Sequence, residues 1–207
     1  TVVDNRSITI GGNSVYEHFH PAEDFTSMLT SEQGPETCNT YNMLRLTKML
    51  YTTSADTHYM DYYERAVFNH ILSTINPIQG GFVYFTPMRS GHYRVYSQPQ
   101  TSFWCCVGSG MENHARYGEM IYSHKGNEEL IVNLFIPSVL TWGKTTVEQV
   151  NSFPAEEGTT LIVNPKKPSE FTVSVRVPEW TDASKMNARV NGKVVEAVFE
   201  GGCMKVA

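Results

Sequence analysis

Lys125-Gly126-Asn127-Glu128-Glu129-Leu130-Ile131-Val132-Asn133-Leu134-Phe135-Ile136 is where the pattern of this chain changes. Gly126 and Asn127 interrupt helical periodicity, and the apolar run from Leu130 to Ile136 behind them reads as a strand. On the N-terminal side apolar residues recur at helical spacing; on the C-terminal side they recur in short runs separated by turn residues. The boundary is therefore expected near residue 126, with a helical unit over 1–126 and a strand unit over 127–207.

Upstream, Pro35 suits the first position of a helix, because its missing N–H has no partner to lose there, and Glu36 beside it complements the dipole. Met43, Leu44, Leu46, Met49 and Leu50 then predict an apolar helix face running to about Thr52. A second helix is expected from about Thr57 to Thr74, with Tyr63, Ala66, Val67, His70 and Ile71 on one stripe. Pro77 and Gly80-Gly81 end it and lead into Phe82-Val83-Tyr84-Phe85, which reads as a short strand. Residues 86–104 read as irregular, with a turn at Ser90-Gly91, and a third helix is expected over roughly 109–123. Downstream, strands are expected near 145–151, 159–164 and 171–177, and Asn191-Gly192 between two β-prone runs predicts a hairpin. Strands at this spacing read as an antiparallel sandwich, which makes the whole chain α+β.

Of 207 residues, 41% are hydrophobic and 18% charged, which is the composition of an ordinary core-forming protein. The net charge of −5, with no run of Lys or Arg, excludes the concentrated basic face of a nucleic-acid binder. No apolar run approaches the roughly 18–20 residues of a membrane span, so no membrane partner is expected. Aromatic residues make up 12%, including eleven Tyr and three Trp, a content that suits a carbohydrate-facing cleft and an aromatic core equally. The opening Thr1-Val2-Val3-Asp4 carries no signal peptide, and Gly201–Ala207 stops inside a β-like pattern. Both ends predict a piece of a longer protein.

The cysteines carry the chemistry. Four in this length are too few for a disulfide scaffold, and none is spaced as CxxC. Cys105 and Cys106 are adjacent, inside Ser102-Phe-Trp-Cys-Cys-Val-Gly-Ser-Gly110, just ahead of a helical pattern. A thiolate there feels the positive end of the helix dipole. Cys38 is a third thiol, and Glu36 stands two residues before it. Zinc commonly takes four ligands from thiolates, imidazoles and carboxylates. Three would be Cys38, Cys105 and Cys106, and the fourth would come from the acid- and His-rich segment 17–23. A thiolate facing a protonatable carboxyl would supply the nucleophile and the general acid/base of a two-step displacement. Other readings of the same residues stay open: Cys38 as a small core residue, Glu36 as a dipole complement, and Cys105–Cys106 as a vicinal disulfide or redox pair. Cys203 stands apart with no assigned role.

Three strings carry a resemblance: Gly34-Pro-Glu-Thr-Cys-Asn-Thr-Tyr-Asn-Met-Leu44, Tyr62-Tyr-Glu-Arg-Ala-Val-Phe-Asn-His-Ile-Leu72 and Phe103-Trp-Cys-Cys106. Together they resemble the β-L-arabinofuranosidases of glycoside hydrolase family 127 and the related family 146, over essentially the whole chain. The resemblance implies the last part of an (α/α)6 toroid over 1–126, followed by the start of a β-sandwich over 127–207. It implies a bacterial retaining glycosidase that releases β-linked L-arabinofuranose or a related sugar, with Zn2+ as cofactor. The implied substrate is a plant or glycoprotein glycan of arabinan type. The implied partner is the missing N-terminal part of the same protein, without which the piece is expected to be inactive. A non-catalytic carbohydrate-binding piece, or one in which zinc only holds the helices together, is the alternative.

Residue by residue, the resemblance carries the zinc ligands onto Glu17, Cys38, Cys105 and Cys106, with Glu23 a weaker candidate for the place of Glu17. It carries the nucleophile onto Cys105, the general acid/base onto Glu36, and sugar contacts onto Glu64 and Tyr84. Tyr16 stands where the family has Gly, and Phe103 where it has His, so sugar contacts are expected to differ. His18, His20, His70, His114 and Trp104 are candidates to line the site or to pack beneath it.

Overall fold

Thr37 opens the longest helix, α3 (Thr37–Ser54), behind the extended backbone of Glu36, and Ala55 in the left-handed region closes it. Ahead of it lie two one-turn helices, α1 (Val2–Arg6) and α2 (Thr26–Thr30). After it come α4 (His58–Asn69), a 3-10 turn over Ile71–Thr74, and α5 (Cys105–Ala115). The computed structural model describes residues 2–207 and divides the chain into two units, Thr1–Tyr117 and Gly118–Ala207. Among the described residues no helix is long and apolar enough to cross a membrane.

In the first unit the three longer helices enclose the core, and the expected stripe is kept: Tyr63, Ala66 and Val67 on α4, and His70 and Ile71 just past its end at Asn69, are all buried. The helix expected to run to Thr74 gives way to the 3-10 turn. The expected face of α3 holds only at Leu44. The helix buries Thr37, Thr40, Leu44, Thr47 and Tyr51, while Leu46, Met49 and Leu50 are exposed, Met49 at 66%. Threonines can line this interior because their hydroxyls are satisfied. Thr37 Oγ1 donates to the Val83 carbonyl (2.7 Å), Thr47 Oγ1 to the Met43 carbonyl (2.7 Å), and Thr40 Oγ1 meets His70 Nδ1 (2.9 Å).

The segment 82–86 forms no extended strand but only isolated bridges, Glu36↔Phe85, Ile75↔Phe82 and Val83↔Tyr96. It nonetheless pins the start of α3: Thr37 N donates to Tyr84 O (3.0 Å) and Thr86 N to Pro35 O (2.9 Å). Gly34 permits that approach, since a Cβ there would lie 2.4 Å from the Thr86 carbonyl oxygen. From the other side Ser14 Oγ accepts from Glu36 N at 2.9 Å. Glu36 is thus fixed by both flanking segments before its side chain does anything.

The third helix starts earlier than the 109–123 expected and ends earlier too, at Ala115. Gly108 and Gly110 lie inside it, and Gly110 serves packing: a Cβ there would lie 2.7 Å from Phe82 Cδ1. Tyr122–Lys125 is already a strand, β1, and Gly126 (φ +54°) forms the turn into β2 (Glu129–Val132) rather than a helix stop.

The second unit continues with β3 (Ser138–Trp142), β4 (Thr145–Val150), β5 (Thr160–Pro165), β6 (Thr172–Arg176), β7 (Ala188–Val190), β8 (Lys193–Val195), β9 (Val198–Glu200) and β10 (Cys203–Val206). β3, β4 and β5 form an antiparallel meander, and Asn191-Gly192, both at positive φ, turn β7 into β8 as expected. The larger sheet has the order β1-β2-β6-β10-β9 and is not wholly antiparallel, because β2 and β6 run parallel. Parallel neighbours need a long crossover, and here the β3–β5 meander is the crossover. Leu130, Val132, Leu134 and Val147 form the core of this unit, and Gln149 Nε2 donates to Leu134 O and Ile136 O (3.1 and 3.0 Å). Cys203 is buried on β10 in this unit.

Candidate metal centre

The N-termini of α3 and α5 meet. Cys38 lies in the first turn of α3, and Cys105 and Cys106 are the first two residues of α5. Cys38 Sγ is 3.2 Å from Cys106 Sγ, and Cys106 Sγ is 3.8 Å from Cys105 Sγ. Glu36 Oε1 lies 3.8 Å from Cys106 Sγ and 3.9 Å from Cys105 Sγ. All four donor atoms fall within 4.8 Å of one another. The cysteines are free, so the vicinal pair is not a disulfide.

The donor set fits a soft divalent ion. Two thiolates bound at about 2.3 Å on a tetrahedral ion stand about 3.8 Å apart, which matches the Cys105–Cys106 sulfur separation of 3.8 Å, while the 3.2 Å between Cys38 and Cys106 would have to open on binding. Three sulfurs and one carboxylate oxygen make four ligands, a mixture that suits Zn2+. The electrostatics agree. Cys38 is lowered to about 6, chiefly by its hydrogen bond with Cys106, with Ser109 also contributing. Once that sulfur is charged, the Cys106 thiol is pushed far up by the same hydrogen bond, by burial and by repulsion from Cys38. Cys105 is also raised, first by desolvation and then by Cys38. Burial, with the charges of Cys38 and Glu17, raises Glu36 to about 7. Without a cation the cluster tolerates little more than one negative charge; a dication would relieve that limit.

The expected ligand Glu17 does not belong to this group; Glu36, expected as the acid/base, stands in it instead. The reason is local. Glu36 is 8% exposed and held from both sides, whereas Glu17 is exposed on a left-handed turn (Tyr16 φ 49°, Glu17 φ 67°). Its Oε1 accepts a hydrogen bond from the Tyr84 hydroxyl. Cys105 also acts electrostatically on that hydroxyl, so Tyr84 lies within reach of both Glu17 and the first thiol of the pair. Tyr84 is held far above its usual range by these two neighbours, Cys105 foremost, and so stays a neutral phenol.

The remaining candidates separate. Glu64 is buried on α4 and is not among the four donors. Glu23 is tied to α1, accepting from Asn5 Nδ2 at 2.9 Å. His20 is a packing residue whose ring nitrogens meet the carbonyls of Arg6, Pro21 and Asp24. His70 is fully buried between Thr40 Oγ1 and Thr86 Oγ1 (2.9 and 3.1 Å), and burial lowers it to about 3, so it is a neutral strut between helices. His18 is exposed, and His114 stacks on Phe82. The Trp104 ring lies 6.0 Å from that of Tyr84, and Phe103 is 83% exposed. Sequence reasoning missed Ser109, whose Oγ is 3.0 Å from Cys38 Sγ. Its only signal was its place one turn after Cys105.

Residues 1–119 match the family model of the β-L-arabinofuranosidase GH127 catalytic domain, and residues 129–206 match that of the GH127 middle domain. Among solved structures, the chain is similar to a GH127 β-L-arabinofuranosidase from Geobacillus stearothermophilus T6, with a TM-score of 0.79 and 21% identity over 99% of this chain and 34% of that one. It is similar to another GH127 β-arabinofuranosidase, with a TM-score of 0.73 and 22% identity over 99% of this chain and 35% of that one. A third structure, described as a glycoside hydrolase, gives 0.76 and 17% over 99% and 38%. At these identities the likeness is one of fold, and the chain spans about a third of those structures' length (34–38%). None of the curated proteins matches the chain.

Proposed function

Because the chain belongs to the GH127 β-L-arabinofuranosidase family, we propose that the protein is a retaining glycoside hydrolase acting on β-linked L-arabinofuranose or a related sugar, with Cys105 as nucleophile. The single observation that carries this reading is the meeting of Cys38 with the Cys105–Cys106 pair and Glu36, all within 4.8 Å. The first unit, to Tyr117, is read as the end of an (α/α)6 toroid, and the second, from Gly118 and so a few residues before the expected boundary at 126, as part of a β-sandwich. The exposed Leu46, Met49 and Leu50 of α3 support the toroid, since a helix inside a larger helical layer buries such a face.

Glu36, Cys38, Cys105 and Cys106 would hold Zn2+. The ion, when bound, would keep the thiolates ionised and moderate their nucleophilicity, which makes the attacking sulfur a better leaving group. Cys105 is the nucleophile of choice because it is the exposed thiol of the three, at the first residue of a helix. Glu17 is the general acid/base in this reading: it is exposed, lies outside the donor group, and accepts a hydrogen bond from Tyr84, whose hydroxyl feels Cys105. Cys105 Sγ attacks the anomeric carbon, a C–S bond forms as the glycosidic C–O bond breaks, and the Glu17 carboxyl gives its proton to the departing oxygen. The Glu17 carboxylate then takes a proton from water as that oxygen attacks the anomeric carbon and the C–S bond breaks, so two inversions give retention. Tyr84 orients the carboxyl through its hydrogen bond to Glu17. Glu64 is kept as a sugar contact on the resemblance alone.

The test is the full-length protein against β-L-arabinofuranosides beside a Cys105→Ser variant. Turnover should fall by at least about a thousandfold, as expected for removal of a nucleophile, and a sugar electrophile should label Cys105 in the parent only. Retained turnover in the variant overturns the nucleophile.

A further inference from the structure

Ser109 lies one turn after Cys105 and three residues after Cys106, so it shares the face of α5 that carries the thiols. It is 9% exposed, and its Oγ is 3.0 Å from Cys38 Sγ on the other helix. A serine side chain is short, and it reaches only because α5 comes in closely. Gly110, next to it, lets α5 pack directly on Phe82, since a Cβ there would lie 2.7 Å from that ring. A thiolate has no proton to give, so in the charged cluster the Ser109 hydroxyl is the donor and Cys38 Sγ the acceptor.

We propose that Ser109 is a positioning residue for the metal centre: its hydroxyl donates to the Cys38 thiolate across the α3–α5 junction and holds that sulfur in place for a bound divalent ion. The inference rests on the metal-centre reading above and adds to it a residue outside the four donors. A ligand sulfur has lone pairs left over after binding one ion, and the Ser109 O–H occupies one of them. That restrains the rotamer of Cys38 from the α5 side, beside its contact with Cys106. It also withdraws electron density from the sulfur, so its removal alters the electronic character of the metal–sulfur bond as well as its strength. Partners of this kind around ligating groups generally matter to metal affinity by tens of fold.

The test compares the full-length parent with Ser109→Ala and Ser109→Thr, each stripped and reloaded. Zinc affinity is read by chelator competition, the thiolate-to-cobalt charge-transfer band by absorption of the Co2+ form, and the fold by unfolding of the metal-free protein. Ser109→Ala should lose about tenfold or more in zinc affinity and shift the cobalt band, while metal-free unfolding changes little. Ser109→Thr, which keeps the hydroxyl, should retain both affinity and band. Alanine matching the parent in affinity and band, or threonine falling as far as alanine, overturns the role of Ser109 while leaving the metal centre intact. A parent that takes up no zinc or cobalt overturns the metal centre itself and this role with it.

Discussion

Replacing Glu36 by Gln should move stability in opposite directions with and without metal. The carboxyl is 8% exposed, and burial raises it from 4.5 to about 7. At about 1.4 kcal/mol per pH unit, keeping it ionised above both values costs the metal-free fold about 3 kcal/mol. The sign follows from proton counting. Between pH 4.5 and about 7 the native state holds a proton on Glu36 that the unfolded chain has released, so this contribution falls as pH rises through that window. Glutamine has the same shape and no charge to desolvate. By urea unfolding with chelator present, Glu36→Gln should therefore be more stable than the parent by about 1–3 kcal/mol at pH 8. The gap should close by pH 4, where Glu36 is neutral in both states. With zinc in excess the order should reverse, because an amide is a poorer ligand than a carboxylate. Equal stability of the two metal-free proteins at pH 8, or an identical gap at both pH values, would refute the electrostatic argument.

Tyr84→Phe removes the hydroxyl that donates to Glu17 and leaves the four donors in place. Turnover should fall by about tenfold or more, with zinc content unchanged by elemental analysis; lost zinc would mean that Tyr84 supports the centre rather than the reaction. Gly110→Ala puts a methyl group 2.7 Å from the Phe82 ring, which is stacked on His114. The ring must shift, at an expected net loss of about 1–2 kcal/mol once the helix preference of Ala is set against overpacking. Chemical denaturation reads the loss, and unchanged stability would show that α5 has slack against Phe82.

The local chemistry was legible along the chain. Adjacent cysteines ahead of a helical pattern, a carboxylate two residues before a third thiol, and Asn191-Gly192 between β-prone runs are short-range signals. Their physics acts within a turn or two of backbone, so they survive without tertiary information. The stripe on α4 was legible for the same reason, since apolar spacing alone specifies a buried face.

What the sequence left undetermined depends largely on what arrives from far away in the chain. The face of α3 departs from the expected one because His70 and the Val83 carbonyl come to meet Thr40 and Thr37, and partners at that separation leave no periodic trace. The parallel pairing of β2 with β6 depends on a forty-residue detour through the meander between them, roughly the span separating Leu130 from its neighbour Val173. Glu36 rather than Glu17 stands among the four donors because burial and donor distance belong to the folded pocket, not to the spacing of a Glu-x-Cys string. Residue identity told which atoms could bind a metal or attack a sugar; the packing of α3 against α5 chose which four of them share one space.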